Sequence, residues 1–539
     1  MSVEQMCCVV SVSENSCSET QESNGNPLSC SGVVLSHQSG LLLCSGLVLS
    51  RFLLDKECIS QNPKILFADK FSSKIQIYID YVDGKVDQGT NKRSNTNALP
   101  TCHKPAELLM MINCVEFQGA FQNLFTGSEQ WKFTDCDEDR DIPYNSNFLS
   151  WFAVLKMTTN AQVDPVPWIK STMLAKGCSV VACGSPFGSF CPDLFMSTLS
   201  KGIVSNLAGE ENALILTDAR CLPGTQGGGL FISDGDKFYL VGLITSPLCW
   251  KSNEWIGLTL VCSLHLILRN ILQAVTSHQT LRQISTHTFT DIPHVTCDAH
   301  QNAENGNYPM VVVVECGHVW GSGIMLSPYL VLTCRHVVNG RQLLKVTLST
   351  SQRSQTVSSR VLFSTKITSP YDIAVVQLQE PFPHVIVPQI TTKFVPGEDV
   401  LVLGYGALGK TCGPSLTSGI LSRVVHLQNK PVMLQTTCAV NCGASGGAVV
   451  RAKTGELLGI VSSNTRDFAA KVTYPHLNFS IPVTVLAPLL SRFAQTQDPA
   501  VFQELDSTEA EVRKVWRLQI PEKWANIKSG MKWMSNLKN

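Results

Sequence analysis

Apolar residues along this chain fall in short runs separated by turn residues, not in long stretches of helical period. From Val311 onward, runs such as Val311-Val312-Val313-Val314, Leu330-Val331-Leu332 and Ile373-Ala374-Val375-Val376 recur, with Ser369-Pro370, Gly397-Glu398-Asp399 and Gly413-Pro414 between them. Short apolar runs at turn spacing predict an all-β domain. The pattern also repeats. Gly202-Ile203-Val204-Ser205 echoes Gly419-Ile420-Leu421-Ser422, and Gly224-Thr225-Gln226-Gly227-Gly228-Gly229 can be laid over Gly443-Ala444-Ser445-Gly446-Gly447-Ala448. The next strand repeats as well, Val241-Gly242-Leu243-Ile244-Thr245-Ser246 against Leu458-Gly459-Ile460-Val461-Ser462-Ser463. Self-similarity at a nearly constant offset predicts a duplicated fold. The copies occupy 1–275 and 310–498, with a polar linker at 276–309 and a C-terminal helix and tail at 499–539. That helix is expected to start at Asp506 or Ser507 as its cap.

The first copy carries a long insert before Trp151. Its polar stretch 83–97 and its acidic run 135–139 read as solvated loops. A length of 539 residues exceeds one hydrophobic core. With a formal net charge of zero, nothing suggests a polyanion partner such as a nucleic acid, and no apolar run approaches the ~18 residues of a membrane span. The 21 cysteines are scattered, odd in number and often set inside apolar strands, as in Val180-Val181-Ala182-Cys183. With no secretory signal at the start, they point to a reducing compartment and to cysteine used as a small hydrophobe. No C-x-x-C pair exists, and His278, His287, His294 and His300 are irregularly spaced in a polar tract, so neither metal nor cofactor is expected.

The chemistry concentrates in the second copy. Gly443-Ala444-Ser445-Gly446-Gly447 supplies a serine in a tight turn, where the amides of Gly443 and Ser445 converge on one point as an oxyanion hole. Upstream, two apolar strands around Ser327-Pro328 end at His336, and Asp372 heads a further apolar run. Each has an ordinary reading as a turn or strand-end residue. Together, in the order His336, Asp372, Ser445, they match a nucleophile, its general base and the group that orients the base. Ser462, Asn478 and Phe479 lie on strands that, by resemblance to the chymotrypsin fold, would pair with the substrate backbone and wall its pocket. Six residues before the serine, where a trypsin carries the acid that binds Lys or Arg, this chain has Ala439, so that resemblance implies a small or uncharged residue at the cut site. In the first copy the nucleophile position holds Gln226, the aspartate position holds Trp151, and the strand ending at Leu47 brings no histidine. That half therefore cannot work by this route. It is either a packing or regulatory partner or a peptide-binding surface.

The motifs Thr333-Cys334-Arg335-His336-Val337, Tyr371-Asp372-Ile373-Ala374, Gln435-Thr436-Thr437-Cys438-Ala439 and Tyr474-Pro475-His476-Leu477-Asn478-Phe479-Ser480 closely resemble the peroxisomal leader peptide-processing proteases. This family is related to the glyoxysomal processing protease of plants and, more distantly, to the Deg/HtrA proteases. The resemblance implies tandem chymotrypsin-like double β-barrels with a degenerate N-terminal copy. It implies a serine endopeptidase of the peroxisome matrix that removes N-terminal targeting leaders and processes β-oxidation enzymes, with self-cleavage and self-association. Against that address, the chain ends in Ser535-Asn536-Leu537-Lys538-Asn539, not in a Ser-Lys-Leu type signal. Two other readings stay open: a peptide-binding chaperone or scaffold, and a broad quality-control protease of the Deg type.

Overall fold

A computed structural model of the chain describes residues 2–14, 28–82, 101–125, 131–133, 146–158, 166–252, 254–277, 308–349, 354–409, 412–467, 472–507 and 509–516. The linker histidines, both polar stretches of the insert and the C-terminal tail lie outside the described residues. The chain divides into two compact units, residues 1–249 with 258–299, and residues 250–257 with 300–539.

The first unit begins with a seven-stranded sheet in the order Ile65–Phe67, Thr101–Asn113, Ile75–Val82, Cys7–Glu14, Leu28–Ser36, Leu41–Ser45, Trp151–Met157. Thr101–Asn113 pairs with Trp151–Met157 as well, which curls the sheet round on itself. A closed six-stranded barrel follows, in the order Thr198–Ala208, Leu214–Thr217, Thr259–Ser263, Lys237–Ser246, Gly229–Asp234, Ser179–Gly184. Helix Leu264–Ser277 ends the described part of this unit. The cysteines act as core residues: Cys8, Cys30 and Cys44 pack with Val10, Val34 and Leu42 inside the first sheet. Burial pushes the Cys8 thiol well above its ordinary value, so it stays protonated.

The second unit holds two closed six-stranded barrels. One is ordered Val311–Cys316, Val319–Ser327, Leu330–Thr333, Ala374–Leu378, Ser354–Ser364, Leu343–Ser349. The other is ordered Asp399–Gly404, Ser415–Leu427, Lys430–Thr436, Val472–Pro482, Leu457–Asp467, Ala448–Arg451. Each is filled by β-branched and Leu side chains: Val312, Val314, Val346 and Val376 in the first, Val400, Val402, Leu434 and Val461 in the second. Closure leaves no long unpaired strand edge. The all-β, double-barrel architecture expected from the strand pattern is therefore the one observed.

The C-terminal helix departs from its expected start. Asp506 ends a short 3₁₀ segment, Pro499–Asp506, that begins at the Asp498 cap, and the α-helix spans Ala510–Trp516. Asp506 does not cap that helix; its carboxylate accepts the Lys366 backbone N–H at 2.7 Å.

Candidate active site

His336 sits on a single helical turn, Arg335–Val338, directly after strand Leu330–Thr333. Asp372 precedes strand Ala374–Leu378, in a loop pinned by Thr365, whose hydroxyl donates to the Tyr371 carbonyl at 2.8 Å and accepts from the Ile373 N–H at 3.2 Å. The two strands pair, Thr333 opposite Ala374, and this brings both side chains to one end of the barrel. Asp372 then holds the histidine twice: Oδ1 accepts the His336 backbone N–H at 3.0 Å, and Oδ2 bonds Nδ1 of the ring. Burial alone would raise the Asp372 carboxyl, but the bond and charge of His336, with the charge of Arg335, outweigh it and hold the group below its ordinary value.

Ser445 lies in the turn before strand Ala448–Arg451. The turn depends on glycine where φ is positive: Gly443 at +94° and Gly446 at +85°. A Cβ on Gly446 would come within 2.1 Å of the Ser322 carbonyl oxygen, and one on Gly443 within 2.7 Å of the Tyr405 carbonyl oxygen. Ser322 anchors the loop from below. Its N–H donates to the Ser445 carbonyl at 2.8 Å and its hydroxyl to the Gly443 carbonyl at 2.7 Å. With those carbonyls turned inward, the Gly443 and Ser445 amides donate to no acceptor among the described hydrogen bonds. The Ser445 hydroxyl itself donates to the Ser462 carbonyl at 3.4 Å.

His336, Asp372, Ser445 and Ser462 line a single cavity of about 560 Å³. Asn478 and Phe479 do not line it. Asn478 is fully buried, its amide donating to the Thr436 and Cys438 carbonyls at 3.2 and 2.9 Å, and Phe479 is also buried. Asn478 thus braces the strand that leads to the serine turn. Arg513 and Trp516 do line the cavity. Trp516 is fixed by its indole N–H on the Val432 carbonyl at 3.0 Å and by an edge-on contact with Tyr371. Sequence reading missed both residues, because a short helix after the last strand carries no signal of where it docks. Cys334 lies beneath the pair, with its thiol, His336 and Asp372 offering ligand atoms within 4.8 Å of one another. Burial, then the Asp372 charge, push that thiol well up, and it donates to the Val461 carbonyl.

The first unit keeps this scaffold without these three side chains. The Ser31 N–H donates to the Gln226 carbonyl at 2.9 Å and its hydroxyl to the Gly224 carbonyl at 2.8 Å, reproducing the bonds of Ser322. Strand register sets Cys44 opposite Ala153 as it sets Thr333 opposite Ala374, so Leu47 and Trp151 occupy the histidine and aspartate places. The Gln226 side chain accepts the Gly224 N–H at 2.7 Å, filling the spot where the other copy aims its Gly443 amide.

A depressed carboxyl makes stability depend on pH. The contribution of Asp372 is fully present above the ordinary aspartate value of about 3.9 and is lost as pH falls through its lower folded value. The stability difference between wild type and Asp372→Asn is therefore expected to shrink as urea midpoints are followed from pH 5 downward. A constant difference would disprove the linkage.

Residues 321–460 match the trypsin-like peptidase domain. The chain is 39% identical over 559 residues to the peroxisomal leader peptide-processing protease of Mus musculus, covering 96% of each chain. It is 39% identical over 557 residues to that of Homo sapiens, again covering 96% of each. It is also similar to the periplasmic serine endoprotease DegP of Salmonella typhimurium, at 30% identity over 188 residues, 32% of this chain and 36% of that one. A barrel pair of this kind and full-length similarity at this level lead to one conclusion: the chain is a serine protease and belongs to the peroxisomal leader peptide-processing protease family.

Proposed function

We propose that this protein is a serine endopeptidase with His336, Asp372 and Ser445 as its triad, and that it removes N-terminal targeting leaders from peroxisomal matrix enzymes. The observation that carries the proposal is the double hold of Asp372 on His336 at the cavity that contains Ser445. With Nδ1 bonded to the carboxylate, Nε2 is the nitrogen left to accept the serine proton. Rotation about the Ser445 Cα–Cβ bond releases the hydroxyl from the Ser462 carbonyl and turns it to that nitrogen. Oγ then attacks the scissile carbonyl, the imidazolium passes its proton to the leaving amine, and water hydrolyses the acyl-enzyme by the same relay. The Gly443 and Ser445 amides stabilise the oxyanion, worth about 3 kcal/mol per donor.

Leader removal, internal processing of β-oxidation enzymes, residence in the peroxisome, self-cleavage and self-association all rest on family membership. The buried Ala439 offers no charge to a substrate side chain, which favours cleavage after small or uncharged residues. Incubating the full chain with a leader-bearing matrix precursor and sequencing the products tests both points. The expected product has lost its leader at an uncharged residue, and the Ser445→Ala protein gives none. Cleavage dominated by Lys or Arg would refute the pocket assignment, and an intact precursor beside protein that still reacts with a fluorophosphonate would refute leader processing.

A further inference from the structure

Residues 250–257 are encoded within the triad-free half, between two strands of its barrel, yet they belong to the unit that holds Ser445. They form a small hairpin, Trp250 opposite Trp255 and Lys251 opposite Glu254. Several of its contacts fall on the segments that shape the serine turn. The Lys251 ammonium donates to the Ala407 carbonyl at 2.7 Å, in the loop whose Tyr405 carbonyl abuts Gly443. The Asn441 side-chain amide donates to the Ile256 carbonyl at 2.9 Å, and the Cys442 thiol lies 3.7 Å from a Glu254 carboxylate oxygen. The other oxygen of Glu254 accepts the Thr473 hydroxyl at 3.1 Å. The Trp255 ring meets His476 edge-on at 5.4 Å, and that imidazole in turn bonds the Thr437 carbonyl. At Gly257, a Cβ would lie 3.2 Å from the Cβ of Ala439.

We propose that Trp250–Gly257 is a positioning strap for hydrolysis, tying the 405–407 loop, the 439–445 turn and the 473–476 strand together so that the Gly443 and Ser445 amides point at the oxyanion. The proposal rests on the triad reading above. It gives the degenerate half a role in catalysis: its chain supplies the brace that holds the donors of the other copy. The reason is physical. Residues 441–445 are held on one side by Ser322, and a turn with φ reversed at Gly443 can rotate its peptides unless its other side is fixed too. Glu254 and Lys251, opposite each other beside the hairpin turn, supply that second side with charge-assisted bonds to the 473–476 strand and the 405–407 loop.

The test uses the full-length protein, an uncharged peptide substrate, and a matched pair of probes: an acetylated tripeptide aldehyde ending in alanine and the corresponding alcohol. Glu254→Ala and Lys251→Met are expected to lower kcat by on the order of 10²-fold with KM nearly unchanged, the cost of misplacing a group by about 1 Å. Glu254→Gln keeps an acceptor for Thr473 and is expected to recover most of the loss. Aldehyde affinity should fall with kcat, because only the aldehyde forms an oxyanion, while alcohol binding stays as in wild type. Wild-type kcat in both variants, or parallel loss of aldehyde and alcohol binding, overturns the strap. Failure of the wild-type protein to react with a fluorophosphonate would instead overturn the triad reading on which it rests.

Discussion

Replacing Ser445 with alanine is expected to lower kcat by about 10⁶-fold and to abolish fluorophosphonate labelling, because the nucleophile of a triad that acts as a unit cannot be replaced by its partners. The informative control is the other copy. Gln226→Ala should leave both activity and labelling unchanged, since the Gln226 side chain only fills its own turn, accepting the Gly224 N–H. Gln226→Ser placed in the Ser445→Ala background should not restore hydrolysis either. The histidine and aspartate places of that copy hold Leu47 and the buried Trp151, so a serine hydroxyl there has no base to take its proton. Labelling that survives in Ser445→Ala would refute Ser445 as the nucleophile.

The second large effect is expected from Asp372→Asn, about 10⁴-fold in kcat with little change in KM. The reason lies in donors and acceptors. Asp372 accepts from two donors on the same residue, the backbone N–H and Nδ1–H of His336. An asparagine has one carbonyl oxygen and one NH₂. If its oxygen faces the backbone N–H, its NH₂ faces Nδ1, and the ring proton moves to Nε2, where the serine proton has to go. In the opposite orientation the NH₂ meets the backbone N–H, donor against donor. Either arrangement also removes the charge that stabilises the imidazolium. Kinetics on the purified variant, with fluorophosphonate labelling slowed in proportion, check the prediction. A loss below tenfold would mean that Asp372 supports the fold around His336 and not its tautomer.

Both expectations follow from a barrel register that has been kept twice. In each copy, one serine bonds the carbonyls of the turn through its N–H and its hydroxyl, Ser31 in the first and Ser322 in the second. These bonds hold the backbone whatever side chain follows the turn. That explains how the first copy holds the same turn with Gln226 in the serine place. Retained folding needs the backbone bonds and the packed core, whereas hydrolysis needs three side chains besides.

The sequence by itself determined the strands and the duplication, and it singled out the candidate reacting groups. Alternating and continuous apolar runs set strand positions because a pleated chain has a period of two. The Gly443–Gly447 turn was legible because its φ angles admit little but glycine. The absent partners of Gln226 could be read by laying one copy on the other. Only the tertiary structure decided which remote segments reach the cavity. Arg513 and Trp516 arrive on a helix that starts at Ala510, beyond the expected cap, and Asn478 turns inward to the Thr436 and Cys438 carbonyls instead of facing substrate. Trp250–Gly257, encoded between strands of the first copy, groups with the compact unit of the second. Local preference is set within a few residues, but these contacts join positions tens to hundreds of residues apart. Their geometry exists only once strand register and barrel closure have fixed where each loop ends.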